Sequence, residues 1–288
     1  MNLTALSLVL IAAVLHAGWN FSAKRVQSGG TTFVWAYYTI AAVVLLPAAV
    51  VAAAAGGSDF RWTWLIAALV TAVLHIAYAL VLQRGYDVAA LSVVYPVARG
   101  LGPLLSIVLA VLFLGERPGP IGLVGGVLIV SGVFVIGWSG RSAATRGAVK
   151  AGVFYGVAIG GLIAGYTLWD AYSVATLDVP PLIYFGTASV MQSVLLTPHA
   201  LRDRGRLRLL WREHRREVLI VGMLSPAAYL LVLYAMRLAP VSLVAPAREV
   251  SIVLSGLAAW LLLGEANAVR RLGGSVIVLA GIVAIALS

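Results

Sequence analysis

Cysteine is absent from the chain, so disulfides and thiolate-bound metals are excluded, and the four histidines are too scattered to compose a zinc site. Charge is scarce too: only 10% of the residues are Asp, Glu, Lys or Arg. No segment alternates apolar and polar residues as a half-buried strand does, so nothing supports a sheet. No nucleophile is spaced with a base and no acidic cluster marks a metal centre, so neither an enzyme nor a cofactor is expected. A channel is not expected either, because no charged ring recurs around identical units. A basic leader before the first apolar run is also missing, and MNLTALSLVLIAAVLHAGW is expected to be a first span and not a cleaved signal.

What is present is apolar helix. The 288 residues are 62% hydrophobic with a mean hydropathy of +1.02, well beyond the apolar share of a soluble domain. In hydrocarbon every backbone amide must be satisfied within the protein, so apolar segments of about 20 residues become spanning helices. The expected fold is an all-α polytopic membrane protein with ten transmembrane helices. Val88 to Leu114, Val218 to Met236 and Val241 to Leu263 are three of the expected spans.

One stretch occurs twice. ALSVVYPVARGLGPLLSIVLAVLFLGE, Ala90 to Glu116, returns as VSLVAPAREVSIVLSGLAAWLLLGE, Val241 to Glu265. Ser92 matches Ser242, Pro96 matches Pro246, Arg99 matches Arg248 after a one-residue gap, and Gly115-Glu116 matches Gly264-Glu265. A half-length unit has therefore been duplicated. Five helices is an odd number, so the second unit must enter the membrane from the opposite side, as in inverted-repeat transporters. The expected division is a first repeat at 1–140, a cytoplasmic linker at 141–147 and an inverted second repeat at 148–288 that carries a basic cytoplasmic loop at 201–217.

Cations are distributed unevenly between the two faces. Fifteen, including the seven arginines from Arg202 to Arg216, fall on one face, and only Arg61, Arg117 and Arg237 on the other. The cation-rich face is expected to be cytoplasmic, which places both termini in the periplasm of a bacterial inner membrane. The net charge of +10 is then mostly a topology signal and implies no nucleic acid. LRDRGRLRLLWREHRRE, Leu201 to Glu217, is expected to be a solvated, amphipathic connector.

Polar residues at membrane depth supply the candidate site. His16, Trp19 and Asn20 share a face of the first helix, and His75 and Tyr78 share a face of the third. Tyr95 and Arg99 flank Pro96 on the fourth, Tyr166, Trp169 and Asp170 cluster on the sixth, and Arg248 with Glu249 follows Pro246 on the ninth. A charge near the bilayer centre costs at least about 2.5–3.5 kcal/mol, so these groups are expected to face a chamber or a partner and not lipid. The candidate substrate-binding set is Trp19, Asn20, His75, Tyr78, Tyr95, Arg99, Trp169 and Arg248, with Glu249 as the candidate proton carrier and Pro96 and Pro246 as hinges. Alternatives stay open. Trp19 and Trp169 also suit an interfacial belt, as do Trp35, Tyr37 and Tyr38; Arg99 and Arg248 also suit the carbonyls freed by a kink; and Asp170, near a helix end, suits a wetted position.

The paired Pro-to-LGE helices, each followed by a glycine-rich helix, and Trp19-Asn20 followed by Lys24 resemble the EamA group of the drug/metabolite transporter superfamily. The resemblance covers essentially the whole chain and implies a basket of helices around a central cavity, alternating access and outward movement of small metabolites. Within the group the chain looks most like bacterial exporters of aromatic amino acids and metabolites. Many members of the superfamily have basic amino termini and are drawn with cytoplasmic ends, whereas the cation count here favours periplasmic ones. An arginine for the carboxylate and an aromatic wall for the side chain suit an amino acid. The expected function is therefore export of aromatic and other neutral amino acids by a monomer in the lipid bilayer, with a proton-coupled exporter of organic cations as the alternative.

Overall fold

Every regular element of the described residues is a helix. The computed structural model describes residues 1–23, 25–26, 30–55, 61–89, 91–137, 146–254 and 268–288. Ten helices follow in order: α1 Leu3–Ala23, α2 Gly30–Ala55, α3 Trp62–Val88, α4 Leu91–Phe113, α5 Pro120–Gly137, α6 Arg146–Ala175, α7 Pro181–Arg202, α8 Arg204–Leu238, α9 Val241–Ala247 and α10 Ala268–Leu287. Stretches of α1, α2, α3, α6 and α8 are long and apolar enough to cross a membrane on their own, and α4, α5 and α10 carry shorter apolar segments. The outer surface is apolar: Ile11 and Val14 on α1, Val43 and Val50 on α2 and Val124 and Val127 on α5 are all exposed. A soluble protein would not leave such a surface bare, but a lipid-facing one must.

Packing runs between the two halves as much as within them. The most extensive contacts join α5 to α10, α4 to α6, α2 to α7 and α1 to α8, and α3 lies on α7 much as α8 lies on α2. Lipid is as apolar as the helices, so association depends on close backbone approach and dispersion. The α5–α10 contact shows this reciprocally. A Cβ built on Gly125 would lie 2.7 Å from the Gly281 carbonyl oxygen, and one on Gly281 would lie 2.6 Å from that of Gly125. Gly132 and Gly274 repeat the arrangement at 2.7 and 2.9 Å. On α6, Gly156 and Gly160 seat α4, whereas a Cβ on Gly161 or Gly165 would meet nothing within 4 Å. Gly125→Ala should therefore lower stability by about 1–3 kcal/mol, as overpacking does, and Gly161→Ala should stay within about 0.5 kcal/mol of wild type. Unfolding in detergent compares them, and equal effects would refute the seam.

The LGE motif closes one helix and caps another. Gly115 adopts φ +65, the left-handed turn that ends a helix, and the Glu116 amide bonds back to the Ala110 carbonyl at 3.3 Å. That turn aims the Glu116 carboxylate at the start of α9, where Oε1 accepts from the Val241 amide at 2.7 Å and Oε2 from the Ser242 amide at 2.9 Å. Two amides without helical partners are satisfied by one anion, which ties the first repeat to the second. The second copy, Gly264-Glu265, lies outside the described residues.

Two expectations change. The basic segment expected as a solvated loop is helical: α7 runs to Arg202, the Asp203 side chain caps α8 by accepting from the Arg206 amide at 2.8 Å, and α8 departs from helical backbone angles at His214. Leu207 and Leu210 pack inward while the arginines stay in solvent, so the sequence has the amphipathic period that a helix needs. The ninth span is interrupted: α9 stops at Ala247, residues 248–249 turn, and helix resumes at 250–254. Pro246 has no amide to give to Ser242, and the next amides bond at short range, Glu249 to Pro246 at 2.9 Å and Ser251 to Arg248 at 3.3 Å. By contrast α4 passes through residue 96 as continuous helix. The side chains of Tyr95 and Pro96 lie outside the described ones.

Candidate functional site

Burial of charge locates the site. Glu249 is 0% exposed and Arg248 5%, both at the break after α9. Arg99, from α4, reaches the pair with Nη1 3.4 Å from Glu249 Oε1, and its Nη2 donates to His16 Nε2 of α1 at 3.0 Å. Arginine can only donate, so His16 accepts through Nε2. Trp19 packs edge-on against His16, with ring centroids 4.7 Å apart. Three polar atoms here are buried and unpartnered: Trp19 Nε1, Arg248 Nε and Glu249 Oε2. Buried donors and acceptors are costly to leave unpaired, and such groups commonly mark function.

A second cluster adjoins the first. His75 of α3 stacks on Tyr166 of α6 at 4.2 Å and meets Tyr229 of α8 edge-on at 5.2 Å. Phe185 of α7 packs on Tyr229 at 4.9 Å, and Tyr78 meets Tyr166 at 5.6 Å. His75 Nδ1 lies 3.0 Å from both the Thr71 carbonyl oxygen and the Thr71 hydroxyl, one turn back on its own helix, which fixes the ring against α3. Arg248 is within electrostatic range of Tyr166, Tyr229 and His75, so it joins the ionic cluster to the aromatic one.

Asp170, expected near water, is 0% exposed. Its Oδ1 accepts from Tyr184 at 2.6 Å and its Oδ2 from Tyr229, so one carboxylate braces α6, α7 and α8 and orients a ring of the aromatic wall. Trp169 donates its indole N–H to the Ala67 carbonyl at 3.0 Å, which pins α6 to α3, and Asn20 donates to the His16 carbonyl of its own helix at 2.9 Å. Tyr38, expected in an interfacial belt, is buried with Ala79 and Leu196, and Tyr78 packs against that group.

Of the residues that stand out in the sequence, the structure brings His16, Trp19, Arg99, Arg248 and Glu249 into one cluster and His75, Tyr78 and Tyr166 into the next. Three further members carry no mark in the sequence: Thr71, Phe185 and Tyr229. Gln192 is 0% exposed with both amide atoms unpartnered, and it lies seven residues from Phe185 on the same face of α7. A glutamine inside an apolar span is the signal that could have found it.

A broken helix with ionisable groups at the break, inside a bundle built of two five-helix halves, defines a membrane transporter of the repeat class. The chain belongs to the EamA-like transporter family, which matches residues 3–138 and again residues 150–287. A solved crystal structure aligns over 100% of this chain and 98% of its own at a TM-score of 0.77 and 17% identity, and so shares the fold. Among curated proteins no sequence matches. Transport of small molecules across a lipid bilayer is thus the coarse function.

Proposed function

We propose that the chain exports aromatic and other neutral amino acids, and metabolites of similar size and charge, by alternating access about the interior cluster. The observation that carries this reading is the buried Arg248 at the break, whose Nε has no partner among the described residues and which stands beside the Glu249 carboxylate that Arg99 reaches. A substrate carboxylate binds through that Nε, in the geometry at which arginine excels. The α-ammonium is served by Glu249 Oε2 and the neighbouring π-faces, and the Gln192 amide adds a donor and an acceptor. His75, Tyr78, Tyr166, Phe185 and Tyr229 form the wall for the side chain. The halves 1–140 and 148–288 rock about the break after Pro246, and the cation-rich connector end faces the cytoplasm of a bacterial inner membrane, with both termini in the periplasm.

The unpartnered Glu249 Oε2 favours a second reading, proton-coupled export of organic cations, against which two buried guanidiniums stand. Counterflow into liposomes preloaded with one amino acid at a time separates the two. Exchange of phenylalanine or tyrosine is expected to be saturable and to fall about tenfold in Tyr78→Ala, which removes about 1.4 kcal/mol of wall contact. Absence of exchange for every amino acid, with lipophilic cations moving under a pH gradient, would overturn the reading in favour of the second.

A further inference from the structure

Away from the interior, a cavity of about 460 Å³ opens between the first turns of α2 and the amphipathic start of α8. Trp35, Thr39 and Ile40 form one wall, and Leu207 and Leu210 the other. Trp35 is held by a 2.9 Å bond from its Nε1 to Thr197 Oγ1, and Thr39 lies 2.7 Å from Ser193 Oγ, so the α2 wall is braced by α7. Both hydroxyls are thereby taken, and the cavity presents apolar surface. Its mouth is different: Arg208 and Arg212, one turn apart, are exposed there beside Trp211, which is 48% exposed. Among the described residues no carboxylate pairs with either arginine.

Depth fits a lipid. At about 1.5 Å per residue the cavity begins roughly 7 Å from the start of α2 and ends roughly 15 Å in, the interval in which a bilayer passes from headgroups to acyl chains. A helix with arginines on one side and leucines with a tryptophan on the other is built to lie in that interface. The geometry points to a site for one anionic phospholipid, its acyl chain between α2 and α8 and its phosphate on Arg208 and Arg212. Charge complementarity selects this occupant: a zwitterionic lipid carries a cation that the two arginines would repel, and a free anion would leave the apolar walls unused. The lipid would clamp the amphipathic start of α8 to α2 whatever solute the bundle carries.

Native mass spectrometry of the full chain in neutral detergent tests this, with phosphatidylglycerol and phosphatidylcholine of matched acyl chains as probes. Phosphatidylglycerol is expected to bind at least about tenfold more tightly. The double variant R208Q/R212Q should weaken it about 25-fold, near fivefold for each arginine, whereas R202Q/R204Q, which loses equal charge outside the cavity, should stay within about twofold. All four arginines are exposed, so the variants should fold. Equal binding of the two lipids, or equal loss in the two variants, would overturn the site. So would displacement of the lipid by glycerophosphoglycerol alone, which would show an anion site with no use for the groove.

Discussion

Arg248→Gln is expected to fold at least as stably as wild type and to lose amino-acid counterflow by about two orders of magnitude. Both halves of this outcome follow from one observation. Arg248 is buried, its Nε has no partner, and the Glu249 carboxylate beside it is shared with Arg99. Removing a buried charge that lacks a full counter-ion relieves desolvation instead of breaking a pair. Removing the group that holds a desolvated carboxylate costs about 2–5 kcal/mol of binding, and 2.8 kcal/mol is about 100-fold. Arg248→Lys keeps the charge without the planar fork and should fall between, losing about tenfold. Liposome counterflow at substrate concentrations below half-saturation, beside thermal unfolding of the same preparations, measures both quantities. Wild-type exchange in Arg248→Gln would remove the arginine from the site, and a collapse of stability would assign it to structure.

The neighbouring carboxylate should behave in the opposite way. Glu249→Gln leaves Arg99 and Arg248 in the same buried space with no anion between them, and breaking a buried pair from one side costs about 3–5 kcal/mol. Transport should be lost as well, but through instability. The double variant R99Q/E249Q returns the cluster to the wild-type excess of one cation and is expected to recover most of the loss, so a double-mutant cycle should return a coupling of about 2 kcal/mol or more. His16 is the third member of the chain, and His16→Ala, which takes the acceptor from Arg99 Nη2, should cost about 1–3 kcal/mol. If Glu249→Gln unfolds within about 0.5 kcal/mol of wild type, Arg99 and Glu249 do not form a functional pair.

These expectations separate what is legible in the residues from what is not. Arg99, Arg248 and Glu249 stand out in sequence because ionised groups are rare in apolar spans, and each demands a physical reason for being there. The same rule marks His16 and His75. It does not reach Phe185, Tyr229 or Thr71, whose residue types are ordinary in such helices and acquire meaning only from what they touch. Asp170 departs from expectation for a related reason. Its position near a helix end suggests water, but two tyrosine hydroxyls from α7 and α8 take that place. The basic connector reads as loop because its charge dominates its composition, although the leucine spacing at 207 and 210 carries a helical face.

Composition by itself determined the all-α membrane fold, because hydrocarbon leaves an unpaired backbone no alternative to helix, and the duplicated stretch determined the two halves. Tertiary structure alone decided the partners. The His16–Arg99 contact spans 83 residues and the Arg99–Glu249 contact 150, and no local period or propensity encodes a distance of that kind. The capping of α9 by Glu116 is similar: a helix-ending glycine turn can be read locally, but which amides its neighbouring carboxylate reaches depends on how the two repeats pack. Side-chain chemistry is local to the chain, whereas pairing requires the bundle to close.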